Sequence, residues 1–319
     1  MRRLLIGPTA LALAAALTAC GSSDSPGGRG DGGRAAITVG VIPIVDVAPL
    51  YLGEKRGFYR DRGIDLTLKT GQGGAAIVPG VISRQFQFGF SNVTSLLIAQ
   101  SNKVPVRAVA NGGASTGRDG ADFGGITVGK DSTLKSAKDL AGRKVAVNTL
   151  KNIGDTSVRQ SVRKAGGDPD RVTFVELAFD QMAAALDSGQ VDAAWAVEPA
   201  LSTIKGRGGR VIASNFVDVA PDLTVALYFT SAEYARRNPE LVEKFRAATK
   251  ESLSYATDHP DEVREILTTY TRIPEATLRA MTLPRWPQEP NRASIDALIA
   301  LGTKDGIFKT APDPDELLP

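Results

Sequence analysis

From residue 37 to residue 230, short apolar runs alternate with stretches of helical period. Ile37-Thr38-Val39-Gly40-Val41-Ile42 reads as a buried strand, and residues 49–56 as a helix stopped by Gly57. Residues 64–68 alternate like a strand, and 75–84 are helical. Phe86, Phe88 and Phe90 alternate with Gln87 and Gly89, which predicts a strand over 86–90. A helix over 93–101 and a strand over 104–110 complete a first set. A second set follows, with strands at 126–128, 144–147, 172–177, 193–197 and 211–213. Helices are predicted between them at 134–140, 156–165 and 180–188, the last with Asp180 as N-cap and Gly189 as stop. After an apolar run over 223–230 the chain turns helical, at 239–257, 261–269, 274–281 and 292–301. Strands spaced by helices imply crossover units and largely parallel pairing. The expected class is therefore α/β, with two units and a helical tail that packs back on the first. Segments 123–128 and 223–229 are expected to cross between the units.

The start of the chain changes the picture. Arg2 and Arg3 precede an apolar stretch, residues 4–17, that is too short to span a bilayer, which reads as a secretory signal. Leu17-Thr18-Ala19-Cys20 resembles a lipobox, in which Cys20 is lipidated and becomes the first mature residue. Residues 1–19 are then a signal peptide. Residues 20–35, rich in Gly, Ser, Asp and Pro, are a flexible tether. Cys20 is the sole cysteine and His259 the sole histidine. That leaves no disulfide, no thiol nucleophile, no His/Cys metal cluster and a poor basis for a Ser-His-Asp triad. His259, between Asp258 and Pro260, reads as a turn residue. The net charge of +3 is small and its basic residues are scattered, so nucleic acid is not an expected partner. No cofactor is expected.

Several fragments, in this order, resemble one family. They are Val41-Ile42-Pro43-Ile44-Val45-Asp46-Val47-Ala48-Pro49-Leu50, Gly57-Phe58-Tyr59, Gln87-Phe88-Gly89-Phe90-Ser91-Asn92, Asp139-Leu140-Ala141-Gly142, Leu186-Asp187-Ser188-Gly189-Gln190-Val191-Asp192 and Glu198-Pro199. The chain resembles the solute-binding proteins of ABC importers of the nitrate/aliphatic sulfonate/taurine type, related to thiamine-pyrimidine precursor binders. The resemblance implies a two-lobed periplasmic-binding-protein type II fold with two hinge crossings. Lobe 1 would hold 36–125 and 226–319, and lobe 2 would hold 126–225. It also implies a monomeric, non-enzymatic binder outside the cytoplasm, which captures a small solute for an ABC permease. Two other readings are an enzyme like the thiamine-pyrimidine synthases and a ligand sensor for a membrane receptor. The first lacks the cysteine-rich motif and reactive histidine those enzymes use.

Open sheets bind ligands beyond the C-terminal ends of their strands, where helices begin. Four such corners carry polar residues. Ile44 and Asp46 precede Pro49, with Asp46 either meeting a ligand N–H or capping its helix. Ser91 and Asn92 follow the strand of phenylalanines, and either one is able to cap the next helix. Thr149, Asp155 and Thr156 lie in the third corner. In the resembled family the matching loop holds an anionic head with small hydroxyl residues, but Asp155 would repel sulfonate or nitrate, unless it is only an N-cap. Trp195 supplies a wall or a core side chain, and Glu198 a carboxylate or a cap before Pro199. Together these corners suit a small zwitterion or nitrogen-bearing ring better than a bare inorganic anion.

Overall fold

The computed structural model describes residues 33–318. The expected signal peptide, Cys20 and most of the tether lie outside the described residues. The chain builds two five-stranded sheets. The first holds β1 (Ala35–Val41), β2 (Ile64–Thr70), β3 (Phe88–Asn92), β4 (Val106–Ala114) and, from late in the chain, β10 (Thr224–Ser231). The second holds β5 (Gly124–Val128), β6 (Lys144–Val147), β7 (Thr173–Glu176), β8 (Ala193–Val197) and β9 (Arg210–Ala213). The orders are β2-β1-β3-β10-β4 and β7-β6-β8-β5-β9.

Both sheets are mixed, which corrects the expectation of largely parallel pairing. β1 runs parallel to β2 and β3, and β6 parallel to β7 and β8, as helix-connected strands must. β10 is antiparallel to β3 and β4, and β5 to β8 and β9. These two strands enter from the other sheet, so no crossover helix dictates their direction. The chain passes between sheets at 115–123 and 214–223. The passages are tied together: Ser115 N–H donates to Leu223 O at 2.9 Å. Asp122 braces the first, accepting from Ser115 Oγ at 2.5 Å and from Thr116 N at 2.9 Å.

The helices in chain order are α1 (Ala48–Arg56), α2 (Gly74–Ile82), α3 (Val93–Ser101), α4 (Ile153–Lys164), α5 (Phe179–Asp187), α6 (Ala200–Gly206), α7 (Asn215–Val219), α8 (Ala232–Arg237), α9 (Pro239–Asp258), α10 (Pro260–Leu267), α11 (Glu275–Ala280), α12 (Arg292–Lys304) and α13 (Pro314–Leu317). Some boundaries differ from the sequence reading for local reasons. β3 begins two residues late: Gln87 N still donates to Thr38 O at 2.9 Å, but its side chain takes the place of its carbonyl and accepts from Thr38 N at 2.8 Å. α4 begins earlier, at Ile153, with Asn152 as N-cap. Asp180 lies in the first turn of α5, whose N-cap is Ala178. The helix expected over 134–140 shortens to one tight turn, Ala137–Leu140. His259 joins α9 to α10, its ring stacked on Tyr255 at 3.8 Å.

The helical tail does return to the first sheet. Phe245 of α9 is fully buried and stacks on Phe88 of β3, with ring centroids 3.9 Å apart. Beside it, Tyr59 and Thr249 share a hydroxyl hydrogen bond of 3.0 Å. Helices α1 and α9 touch so closely that a Cβ on Gly53 would lie 1.9 Å from Ser252 Oγ. Phe245→Ala therefore removes a central packing element, and we expect it to lower the unfolding free energy by about 3–5 kcal/mol. Urea titration followed by tryptophan fluorescence checks this. A loss under about 1 kcal/mol would mean that the tail is not integral to the first lobe.

Candidate functional site

The C-terminal ends of β1, β3 and β6 and the strand β8 converge between the sheets on a cavity of ≈ 30 Å3. Its walls are apolar: Ile42, Ile44, Phe90, Ile153, Phe179, Trp195, Val197, Phe216, Val225 and Ala226. Its polar side chains are Asp46, Asn92 and Asn148, and among the described residues no lysine or arginine lines it. Trp195 is the centre of the aromatic wall, set edge-to-face with Phe179 at 5.5 Å and with Phe216 at 5.9 Å. A Cβ on Gly154 would lie 2.6 Å from Trp195 Cε3, so only glycine at the start of α4 leaves room for the indole. Ile42, Ile44 and Phe179 also line a wider outer chamber of ≈ 590 Å3 between the same two lobes.

Three buried polar atoms around the inner cavity have no hydrogen-bond partner: Asp46 Oδ2, Asn148 Oδ1 and Trp195 Nε1. Buried polar groups normally find partners, so such orphans beside a cavity mark positions a ligand would satisfy. Asp46 is 1% exposed. Burial, with a smaller contribution from Asp122, pushes its carboxyl up to about 7. Its loop is held from the helical tail: Trp286 Nε1 donates to Asp46 O at 3.1 Å, and Tyr270 OH to Ile44 O at 3.1 Å.

The remaining expected residues are distributed around this centre. Asn92 reaches the cavity while also capping α3, its Oδ1 accepting from Ser95 N at 2.9 Å. Ser91 is buried against the start of α2 and donates to Asn92 O at 3.1 Å. Thr149 sits where the loops of the two lobes meet, 3.0 Å from where a Cβ on Gly73 would be. Thr156 is fully buried, with its hydroxyl unpartnered, but does not line the cavity. Asp155 and Glu198 are not among the lining residues either. Asp155 Oδ2 accepts from Lys151 N at 3.0 Å and steadies that residue's left-handed backbone, φ 51°. Burial raises Asp155 to about 6. Glu198, 0% exposed, caps α6: its carboxylate accepts from Ser202 N at 2.9 Å and Ser202 Oγ at 2.7 Å. It also spans the lobes. Its Oε1 accepts from Thr282 N at 3.2 Å, and its main-chain carbonyl from Val45 N at 3.2 Å. A second inter-lobe contact joins two helix mouths, with Asn152 Nδ2 donating to Ser95 Oγ at 3.0 Å.

The sequence reading did not single out Phe90, Phe179, Phe216 or Asn148 as site residues. Phe179 stands directly before Asp180 at a strand-to-helix corner, and Asn148 opens the third corner. Those two positions were the available signals. Phe90 and Phe216 look in sequence like any core aromatic.

The model for NMT1/THI5-like proteins matches residues 44–263, more than half of the chain. The chain belongs to the NMT1/THI5-like family. This family member is 24% identical over 306 residues to the riboflavin-binding protein RibY of Chloroflexus aurantiacus, covering 94% of the chain and 84% of that protein. It is 24% identical over 204 residues to the taurine-binding periplasmic protein of Escherichia coli, covering 64% and 61%. Its fold matches the alkanesulfonate-binding protein SsuA of Xanthomonas axonopodis pv. citri with a TM-score of 0.76 at 18% identity, over 89% of this chain and 97% of that one.

Two outcomes follow for this NMT1/THI5-like chain. Gly154→Ala pushes a methyl group into the indole and displaces the aromatic wall. We expect roughly 1–3 kcal/mol of destabilisation and a much larger relative loss of solute affinity, checked by unfolding and calorimetry on the same variant. The second concerns pH. Because burial raises Asp46 above its unfolded value, the folded chain without ligand keeps a proton that the unfolded chain has already lost between pH 3.8 and about 7. Stability therefore falls as pH rises across that window. Asp46→Asn should remove this part of the slope, and identical pH slopes for both proteins would contradict it.

Proposed function

We propose that this chain is an extracytoplasmic solute-binding protein, tethered to the membrane by a lipid on Cys20. It captures a small nitrogen-bearing ring between its lobes and delivers it to an ABC permease. The observation that carries this is the inner cavity, where flat aromatic walls surround two unpartnered acceptors, Asp46 Oδ2 and Asn148 Oδ1, and one unpartnered donor, Trp195 Nε1. A planar heterocycle with N–H donors and one ring acceptor carries the complementary groups for all three, and it enters once the lobes part, since the cavity of ≈ 30 Å3 is smaller than a ring. A bare sulfonate or nitrate would meet the Asp46 carboxylate with no cation lining the cavity to offset it. Relatives named for riboflavin, taurine and alkanesulfonate binding support the solute-binding role. A direct N–H contact to Asp46 strengthens when the carboxyl is ionised, so affinity should rise as pH passes through about 7.

Thermal unfolding of the purified full chain against aminopyrimidines, riboflavin, taurine, alkanesulfonates and nitrate tests this reading. A ligand at a hundred times its Kd adds about 2.7 kcal/mol, an easily read shift. A shift with the ring compounds, lost in Asp46→Ala and Trp195→Ala while both variants stay folded, is the expected result. A shift with plain alkanesulfonates alone, retained in both variants, would contradict it.

A further inference from the structure

We infer that Arg163 and Asp305 form a clasp between the lobes, outside the cleft, which holds the lobes together and parts whenever solute enters or leaves. This rests on the two-lobed capture proposed above, and not on which solute is captured. Arg163 lies in the last turn of α4, in lobe 2, and Asp305 caps the C-terminal end of α12, in the helical tail. The guanidinium grips the carboxylate at two points: Nη1 donates to Oδ2 at 3.4 Å, and Nη2 donates to Oδ1. The two side chains are 18% and 2% exposed, which makes this the most buried ion pair among the described residues. A pair on the surface would contribute little. A buried one favours a single arrangement, because parting the partners in place leaves a charge uncompensated.

The helix that carries Asp305 straddles the lobes. α12 packs on α3 and β10 to one side, and on α4 and α7 to the other. Its N-terminal end is fastened where the second crossing enters β10. Thr224 N donates to Ser294 Oγ at 3.0 Å, Asn291 N to Thr224 Oγ1 at 2.8 Å, and Asn291 Nδ2 to Asp222 O at 3.2 Å. The helix therefore travels with the first sheet. At roughly 1.5 Å per residue, Asp305 stands about 16 Å along it from Ser294. A rigid-body rotation of about 15° at the crossing shifts Asp305 by about 4 Å against Arg163, farther than a hydrogen bond stretches. The clasp and the Glu198 contacts to Thr282 and Val45 therefore form and part together. The cavity meets α4 at its first residue, Ile153, and the clasp meets it in its last turn, so the pair acts without touching solute.

Amide hydrogen exchange of the full chain without added solute, read from overlapping peptides, tests this. Val45 N and Thr282 N donate across the lobes to Glu198, so their exchange reports parting of the lobes. In Asp305→Asn both should exchange about tenfold faster, while the cores of β1 and β6 keep wild-type protection. Arg163→Lys keeps the charge and loses the paired donation, so it should give a smaller rise at the same two amides. The exchanged pair Arg163→Asp/Asp305→Arg should restore slow exchange. Wild-type exchange at Val45 and Thr282 in both single variants overturns the clasp. A rise shared equally by β1 and β6 also overturns it, since the pair would then support the fold alone. Fast exchange that persists in the exchanged pair overturns it too. None of these readings needs a bound solute, so the clasp is decided independently of the ring reading.

Discussion

A buried carboxylate with one oxygen left unpartnered is the constraint around which the cleft is organised. Asp46 is almost wholly excluded from water, yet one of its oxygens accepts nothing. Leaving such a group charged in an apolar cavity costs several kcal/mol unless a donor arrives. The fold still holds it in place: Trp286 and Tyr270, from far along the chain, fasten the loop that carries it. The helical tail thus contributes more than bulk to lobe 1, because it positions the acid that gives the cleft its chemistry.

The opposite lobe supplies shape. Gly154 admits the Trp195 indole, and Phe179 and Phe216 brace it edge-on. Glu198 links the two halves. Anchored on Ser202, it accepts a main-chain N–H of lobe 1 at Thr282, while its own carbonyl accepts from Val45, one residue before Asp46. In this arrangement the aromatic wall lies over the acid with the latch formed, as hinge closure in two-lobed binders requires. The paired crossings at 115–123 and 214–223 are tied to each other by the Ser115–Leu223 bond.

Much of this was legible before any coordinates. Apolar periodicity located nearly every strand, and the order of the fragments around Asp46, Asn92, Gly142 and Glu198 pointed to the family. The antiparallel strands escaped because direction depends on where the chain arrives from, and β5 and β10 arrive from the other sheet. The short helices α6, α7 and α8 span too few residues to show a period. Among the acids, Asp46, Asp155 and Glu198 share one sequence signature, a carboxylate at a helix start. Whether such a group caps its helix, steadies a left-handed residue or faces a cavity depends on neighbours far along the chain, such as Thr282 for Glu198. Phe90 and Phe216 were hidden for the same reason, since a cavity-lining aromatic and a core aromatic look alike in sequence.

The central claim is that the cleft selects a nitrogen-bearing ring through Asp46 against an aromatic wall. The most direct measurement is to purify the protein from its own cells with its solute still bound, unfold it, and identify the released molecule by mass spectrometry. A planar nitrogen heterocycle is expected in near-equal amount to the protein and absent from an Asp46→Ala preparation. Release of a simple sulfonate, taurine or nitrate from both preparations would contradict it.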